Sequence, residues 1–270
     1  MKESVKRYFT DRIIWITGAS SGIGEALAKI LSGTGARVII SSHEPEELKR
    51  VKEEIGKSKY DPFILPFDLS DPSAVEKAAD TVLNKFERVD IFFTNGGVST
   101  RTSAMETPVE LDRKVMEINY FSGLILSKKL LPSMLASGFG HIIATSSISG
   151  KFGFPLRSAY AASKHALHGF YESVWTELKD KGIRTTLICP GRVKTKISLH
   201  ALDKDGKEYG KMSKGQAEGI DPFDCAYQIA RAASKNKREA LIGGKELIMP
   251  RLKQYFPGIF YKLVTRIDPS

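Results

Sequence analysis

Short apolar runs alternate with amphipathic stretches along most of the chain. Arg12-Ile13-Ile14-Trp15-Ile16 is rich in strand formers and predicts a first strand. Val38-Ile39-Ile40 predicts the second, Phe63-Ile64-Leu65 opens a third, and Asp90 to Thr94 gives a fourth. His141 to Thr145, Arg184 to Cys189 and Ala240-Leu241-Ile242 supply the fifth, sixth and seventh. Between the strands the apolar residues recur at helical spacing. Ile23, Leu27, Ile30 and Leu31 share one face, and Asp71 to Phe86, Tyr120 to Leu135 and Ser158 to Lys179 read as longer helices. Regular alternation of strand and helix predicts an α/β fold, a parallel sheet of about seven strands covered on both faces. Ligands of such sheets bind beyond the carboxyl ends of the strands.

Composition narrows this little. A chain of 270 residues that is 41% hydrophobic suits one domain with a substantial core. No apolar run reaches the roughly 18 residues of a membrane-spanning helix. Met1 to Arg7 is charged and is expected to lead straight into the first strand, without a secretory leader. Cys189 and Cys225 read as core thiols of a reducing cytoplasm, and no metal-type spacing is visible, so no metal is expected. The net charge is +10, and residues 235–266 set eight cations against two acids, a local +6. An acidic surface or an anionic substrate suits such a tail. No nucleic-acid-binding module is visible, so nucleic acid is not an expected partner.

The candidate chemistry sits just after the predicted strands. Thr17-Gly18-Ala19-Ser20-Ser21-Gly22-Ile23-Gly24 joins the first strand to the first long helix. Strand, glycine-rich turn and helix in that order make the dinucleotide-binding crossover of a Rossmann-type doubly wound sheet. Gly18 supplies the tight turn, Gly22 lets backbone approach a pyrophosphate, and Gly24 permits close packing of helix on strand. The helix N-terminus offers N–H groups and a positive dipole end to phosphates. Tyr160 and Lys164 lie four residues apart and so share a helix face. A phenol with a pKa of about 10 is a poor base at neutral pH, and a nearby ammonium is expected to lower it. The pair then exchanges a proton with a carbonyl or alcohol oxygen. Ser147 is placed to bond that oxygen and steady its charge.

The glycine spacing Gly-x-x-x-Gly-x-Gly, with Thr94-Asn95-Gly96-Gly97, Asn119, Ser147 thirteen residues before Tyr160, and Pro190-Gly191-Arg192-Val193-Lys194-Thr195, resembles the short-chain dehydrogenase/reductase family over residues 10 to 243. Thr94 and Gly96 depart from that family's Asn and Ala. The resemblance implies a nicotinamide-dependent oxidoreductase with Asn119, Ser147, Tyr160 and Lys164 as catalytic residues. It implies cofactor contacts from Gly18, Ser20, Ser21, Gly22, Ile23, Gly24, Ser42, His43, Asp68, Leu69, Asn95, Gly96, Tyr160, Lys164, Pro190, Gly191, Val193 and Thr195. It also implies that Lys164 binds the nicotinamide ribose, that Asn119 holds a water linking Lys164 to solvent, and that Asp68 contacts the adenine. Ser42 stands where an acid would select NAD(H), so NADP(H) is favoured, although the family's usual arginine is replaced by His43.

Two segments bear on the substrate. Residues 196–219, polar and lysine-rich, occupy the position of the family's substrate lid. Residues 244–270 form a basic, apolar extension broken by Pro250 and Pro257, which reads as two short amphipathic pieces. These pieces pack on the substrate pocket, meet a partner subunit or lie on a membrane surface. Several runs, among them Val115 to Phe121 and Arg157 to Ala166, resemble the dehydrogenase/reductase member 7 and 7B branch, whose members are linked to lipid, steroid or retinoid carbonyls. The expectation is an NADPH-dependent reductase of a bulky or lipophilic ketone or aldehyde, cytoplasmic or peripherally membrane-bound, and a homodimer or homotetramer by family analogy. A reductase of a small polar carbonyl or sugar is the alternative enzyme. A non-catalytic NADP(H)-binding sensor or scaffold is the alternative class.

Overall fold

The period-two alternation of the first strand decides how the layers are built. In the computed structural model, which describes residues 1–266, Ile14 and Ile16 of β1 (Ile13–Thr17) join one core and Trp15 joins the other. The same alternation runs through β2 (Arg37–Ser41) and β4 (Ile91–Thr94), where Val38, Ile40 and Phe93 pack with Ile14 while Ile39 and Phe92 pack with Trp15. With β3 (Phe63–Ile64), β5 (Gly140–Thr145), β6 (Ile183–Pro190) and β7 (Glu239–Ile242) they form one parallel sheet in the order β3-β2-β1-β4-β5-β6-β7. The order reverses between β1 and β4, and the crevice at that switch point is where a doubly wound sheet offers a ligand site.

The N-terminus departs from expectation. Residues ahead of β1 do not run straight into the strand but form α1 (Glu3–Phe9). Val5 and Phe9 are four apart on one face and bury completely or nearly so, and the charged residues cover the rest. That face packs in the first core with α2 (Gly22–Ser32) and α3 (Pro45–Ile55). On the opposite side of the sheet α4 (Pro72–Phe86) is capped by the Asp71 carboxylate, which accepts from the Ser73 and Ala74 N–H groups.

The helix expected from Tyr120 starts earlier. It begins as α5 (Val109–Met116), passes through a π turn at Glu117–Phe121 and continues as α6 (Ser122–Ala136). Asn119 lies in that turn, a distortion that often marks functional positions. α7 (Ser158–Leu178) carries Tyr160 and Lys164 and packs on β6. Beyond β6 a short helix, α8 (Lys214–Ala217), precedes α9 (Pro222–Ser234), which returns to the first core.

The tail folds as two short helices, α10 (Ile248–Tyr255) and α11 (Pro257–Val264). Pro257 stands at the start of α11, where its missing N–H costs nothing. Phe260 and Val264 bury against Phe152, with the Phe152 and Phe260 rings 5.2 Å apart edge to face. Lys253 Nζ donates to the Lys151 carbonyl at 2.7 Å. The tail therefore buttresses the loop after β5. Among the described residues no helix is long and apolar enough to cross a membrane.

Candidate active site

Between β1 and α2 the chain turns on glycines. Gly18 and Gly22 have φ of +63° and +57°, values that favour glycine. A Cβ on Gly18 would lie 2.6 Å from the Gly96 Cα, and one on Gly24 2.0 Å from the Gly18 carbonyl oxygen. The turn is thus pressed against the backbone that follows β4. Ser21, at the start of α2, makes no side-chain cap, so the first N–H groups of the helix are left for a ligand. Asn95 fixes this junction. Its Nδ2 donates to the carbonyls of Thr17 and Gly18, both at 3.3 Å, and its Oδ1 accepts from Thr145 Oγ1 at 3.2 Å. Gly96, which replaces the family's alanine, leaves room for Leu69, whose Cδ1 lies 2.4 Å from where a Cβ would stand.

The proton-handling groups gather at the carboxyl ends of β4, β5 and β6. Ser147 stands two residues beyond the end of β5, and its Oγ accepts from the Ser149 N–H at 3.1 Å. Lys164 Nζ donates to the Thr145 carbonyl at 2.9 Å and lies 5.6 Å from the Tyr160 ring centroid. Burial pushes the Lys164 ammonium down to about 8. Burial pushes the Tyr160 phenol above its ordinary value, while a hydrogen bond with Ser147 and the charge of Arg157 pull the other way. The expected lowering of the phenol by Lys164 is therefore not what this geometry gives. The net shift is upward, although Lys164 Nζ at 5.6 Å and Arg157 Cζ at 5.9 Å both stand near the ring centroid.

Asn119 is committed to structure. Its Oδ1 accepts from the Val98 N–H at 2.8 Å, and its Nδ2 donates to the Val98 carbonyl and to Ser163 Oγ, each at 2.9 Å. It clamps the segment after β4 against α7, and a Cβ on Gly97 would touch both Asn119 Oδ1 and Lys164 Nζ. Spacing did not disclose the cluster of His168, Cys189 and Glu239, whose ligand-type atoms lie within 4.8 Å of one another. A cation already serves it: Lys151 Nζ pairs with Glu239 and stands 3.4 Å from His168 Nδ1.

One cavity of about 660 Å³ joins these groups. Gly18, Ser20, Ser21, Gly22, Ile23, Ser42, His43, Asp68, Leu69, Asn95, Gly96, Ser147, Tyr160, Lys164, Pro190, Gly191, Val193 and Thr195 all line it. Gly24 and Asn119 do not line it, since both act through packing and backbone contacts. Residues outside the predicted site set also face it, chief among them Glu44, Val98, Lys114, Phe154, Arg157 and Gln216. Glu44, Val98 and Arg157 stand beside motif residues and Gln216 lies in the expected lid, whereas Lys114 and Phe154 come from segments that converge through the fold. Gln216, in α8, donates to Thr195 Oγ1 at 3.2 Å. At the far end Ser42 Oγ donates to Ser20 Oγ at 2.9 Å, and Ser20 Oγ donates to Glu44 Oε2 at 2.7 Å.

The glycine cradle, the uncapped helix start and the elongated cavity fit a dinucleotide, and comparison with known proteins agrees. Residues 12–205 match the short chain dehydrogenase family. Dehydrogenase/reductase SDR family member 7B of Rattus norvegicus is 38% identical over 271 residues, spanning 98% of this chain and 82% of its own length. A short-chain dehydrogenase from Streptomyces avermitilis superposes with a TM-score of 0.79 at 25% identity, covering 94% of this chain and 96% of its own. A metagenomic short-chain oxidoreductase solved in complex with NADP gives 0.72 at 28% identity, over 87% of this chain and 97% of its own. The chain belongs to the short-chain dehydrogenase family and is an oxidoreductase of that family.

Proposed function

We propose that this protein is an NADPH-dependent reductase of a bulky or lipophilic ketone or aldehyde. The observation that carries the reading is the single cavity that holds the glycine turn at one end and Ser147, Tyr160 and Lys164 at the other. A bound nicotinamide dinucleotide supplies the hydride. Gly18 to Ile23 and the start of α2 hold its phosphates, and Asn95 keeps the backbone beneath them rigid. Ser147 bonds the substrate oxygen. Tyr160, its phenol kept protonated by burial, gives that oxygen its proton. Lys164 stands beside it as a cation up to about pH 8 and binds the ribose hydroxyls. Asn119 holds the Val98 segment and α7 in register, so Lys164 keeps its place. Val98, Ile148, Phe154, Ile197 and Leu202 supply an apolar wall on the substrate side. Residues 196–219 act as the lid, and the tail helices stiffen the wall through Phe152.

Ser42 and His43 favour the 2′-phosphate of NADPH. A second reading, NADH, is favoured by one observation: the Glu44 carboxylate lines the same end of the cavity on Ser20. NADPH and NADH consumption across carbonyls graded from short polar to long acyl chains tests both points. Rates that climb with chain length and with NADPH support the reading. Activity confined to short polar carbonyls replaces the substrate class, and tight cofactor binding without any turnover replaces the enzyme with a sensor.

A further inference from the structure

Arg157, beside Tyr160, and Arg101, on the segment paired with it, have no carboxylate partner among the described residues. Arg157 lines the cavity three residues before Tyr160, with its Cζ 5.9 Å from both the Tyr160 and the Phe154 ring centroids. Its side chain makes one hydrogen bond, from Nη1 to Ser99 Oγ. Arg101 lies on the neighbouring segment, where Thr102 bridges to Arg157 and Thr100 bridges to Leu202. Arg101 is 8% exposed, its Cζ sits 4.9 Å from the Tyr209 ring centroid, and its Nη1 is enclosed without a hydrogen-bond partner. Neither arginine forms a salt bridge among the described residues.

The carboxylates that line the cavity are committed elsewhere. Glu44, Glu47 and Asp68 stand at the end beyond β2 and β3, and Glu208 is bound to His200 at 2.7 Å. Burial pushes the Arg157 guanidinium below its ordinary pKa, and the charge of Arg101 adds to that. The backbone is strained here too. Leu156, a bulky residue next to Arg157, has φ of +62°. Enclosed cations of like sign without a counter-charge are costly to fold. A ligand that carries the missing charge offsets the cost.

The geometry points to an anion subsite formed by Arg157, with Arg101 on the adjoining segment adding positive charge from outside the cavity lining, so that the substrate is a bulky carbonyl compound carrying a carboxylate a few bonds from the reacting carbon. The inference rests on the carbonyl-reductase reading above and narrows its substrate. A guanidinium presents a planar fork that matches a carboxylate with two parallel hydrogen bonds. Arg157 is near enough to Tyr160 for one small molecule to place its carbonyl oxygen on the phenol and its carboxylate on the fork. The apolar wall from Val98 to Phe154 receives the rest.

The test uses the full chain with NADPH and pairs of oxo acids with their methyl esters. The wild-type protein is expected to prefer the acid at least about tenfold in kcat/KM, the worth of one charge-assisted contact. Arg157→Gln should bring that ratio close to one. The ratio is read because any common effect on Tyr160 cancels in it. Arg101→Met should lower the ratio and raise Tm, since it removes an enclosed unpaired charge. A wild-type protein that prefers the ester overturns the subsite. So does an unchanged ratio in Arg157→Gln. A second measurement needs no turnover: calorimetric titration of the NADPH complex with hexanoate and hexanamide. Hexanoate should bind more tightly, and Arg157→Gln should abolish the difference. Equal binding overturns the proposal, whereas hexanoate binding with no carbonyl turned over keeps the subsite and removes the reductase reading.

Discussion

The two ends of the central sheet treat buried ionisable groups in opposite ways. At the amino ends of the strands two such groups, His141 and Asp90, are closed off by partners. His141, at the start of β5, is completely buried between Tyr8 Oη at 2.7 Å and Thr186 Oγ1 at 2.8 Å. Thr186 Oγ1 donates onward to the Lys237 carbonyl, so His141 Nε2 is the donor and Nδ1 accepts from Tyr8. Asp90, just ahead of β4, accepts from the Ile13 N–H at 2.8 Å and from Arg88 at 3.0 Å. At the carboxyl ends Tyr160, Lys164 and Arg157 are also buried or part-buried, yet they face a cavity with bonding capacity to spare. At the amino end the burial of His141 and Asp90 stores no chemistry because their partners are fixed. At the other end burial holds groups away from their ordinary pKa where a ligand can use them.

The largest expected effect breaks the cavity end. Tyr160→Phe should cut carbonyl turnover by about 10² to 10⁴-fold while NADPH still binds, read by steady-state kinetics beside cofactor titration. Unchanged turnover would remove Tyr160 from the chemistry. The next sharpens the same end by pH. Lys164 is a cation in the folded protein only below about pH 8, so kcat/KM for reduction should fall as pH rises through that value. A profile flat to pH 10 would contradict the role given to Lys164.

The closed end answers to stability instead. His141→Leu leaves the Tyr8 hydroxyl and Thr186 without their partner and should cost about 1–3 kcal/mol in urea unfolding, with kcat/KM unchanged. Burial holds the folded His141 at a pKa of about 3, against about 6.5 when unfolded. The unfolded chain therefore binds more protons between those values, and stability should fall as pH drops from about 6.5 toward 3. His141→Leu should flatten that slope. The smallest effect lies at the cofactor's far end: Glu44→Gln removes a negative charge beside Ser20 and should raise kcat/KM for NADPH about fivefold, with little change for NADH. No change in that ratio would mean Glu44 leaves no mark on cofactor choice.

Local pattern reached far into this molecule because its signals are local. Apolar runs of four to six residues and helical periodicity depend only on neighbours, so the strands, their order along the chain and the glycine turn were legible. α1 escaped because two buried residues, Val5 and Phe9, are outnumbered by exposed charge. The π turn at Asn119 escaped because its cause is the bonding of Asn119 to Val98 and Ser163, which no propensity encodes.

By itself the sequence determined the strand-turn-helix cofactor cradle, the placement of Tyr160 and Lys164 on one helix face, and the basic, apolar character of the tail. Each follows from residue type and spacing along one stretch of chain. Only the tertiary structure decided which groups share a cavity, that burial raises the Tyr160 phenol with Arg157 as well as Lys164 near its ring, that Arg101 and Arg157 lie on paired segments without a counter-charge among the described residues, and that Phe260 seats the tail on Phe152. Those outcomes depend on burial and on distances between segments far apart in the chain. Neither quantity exists until the sheet brings them together.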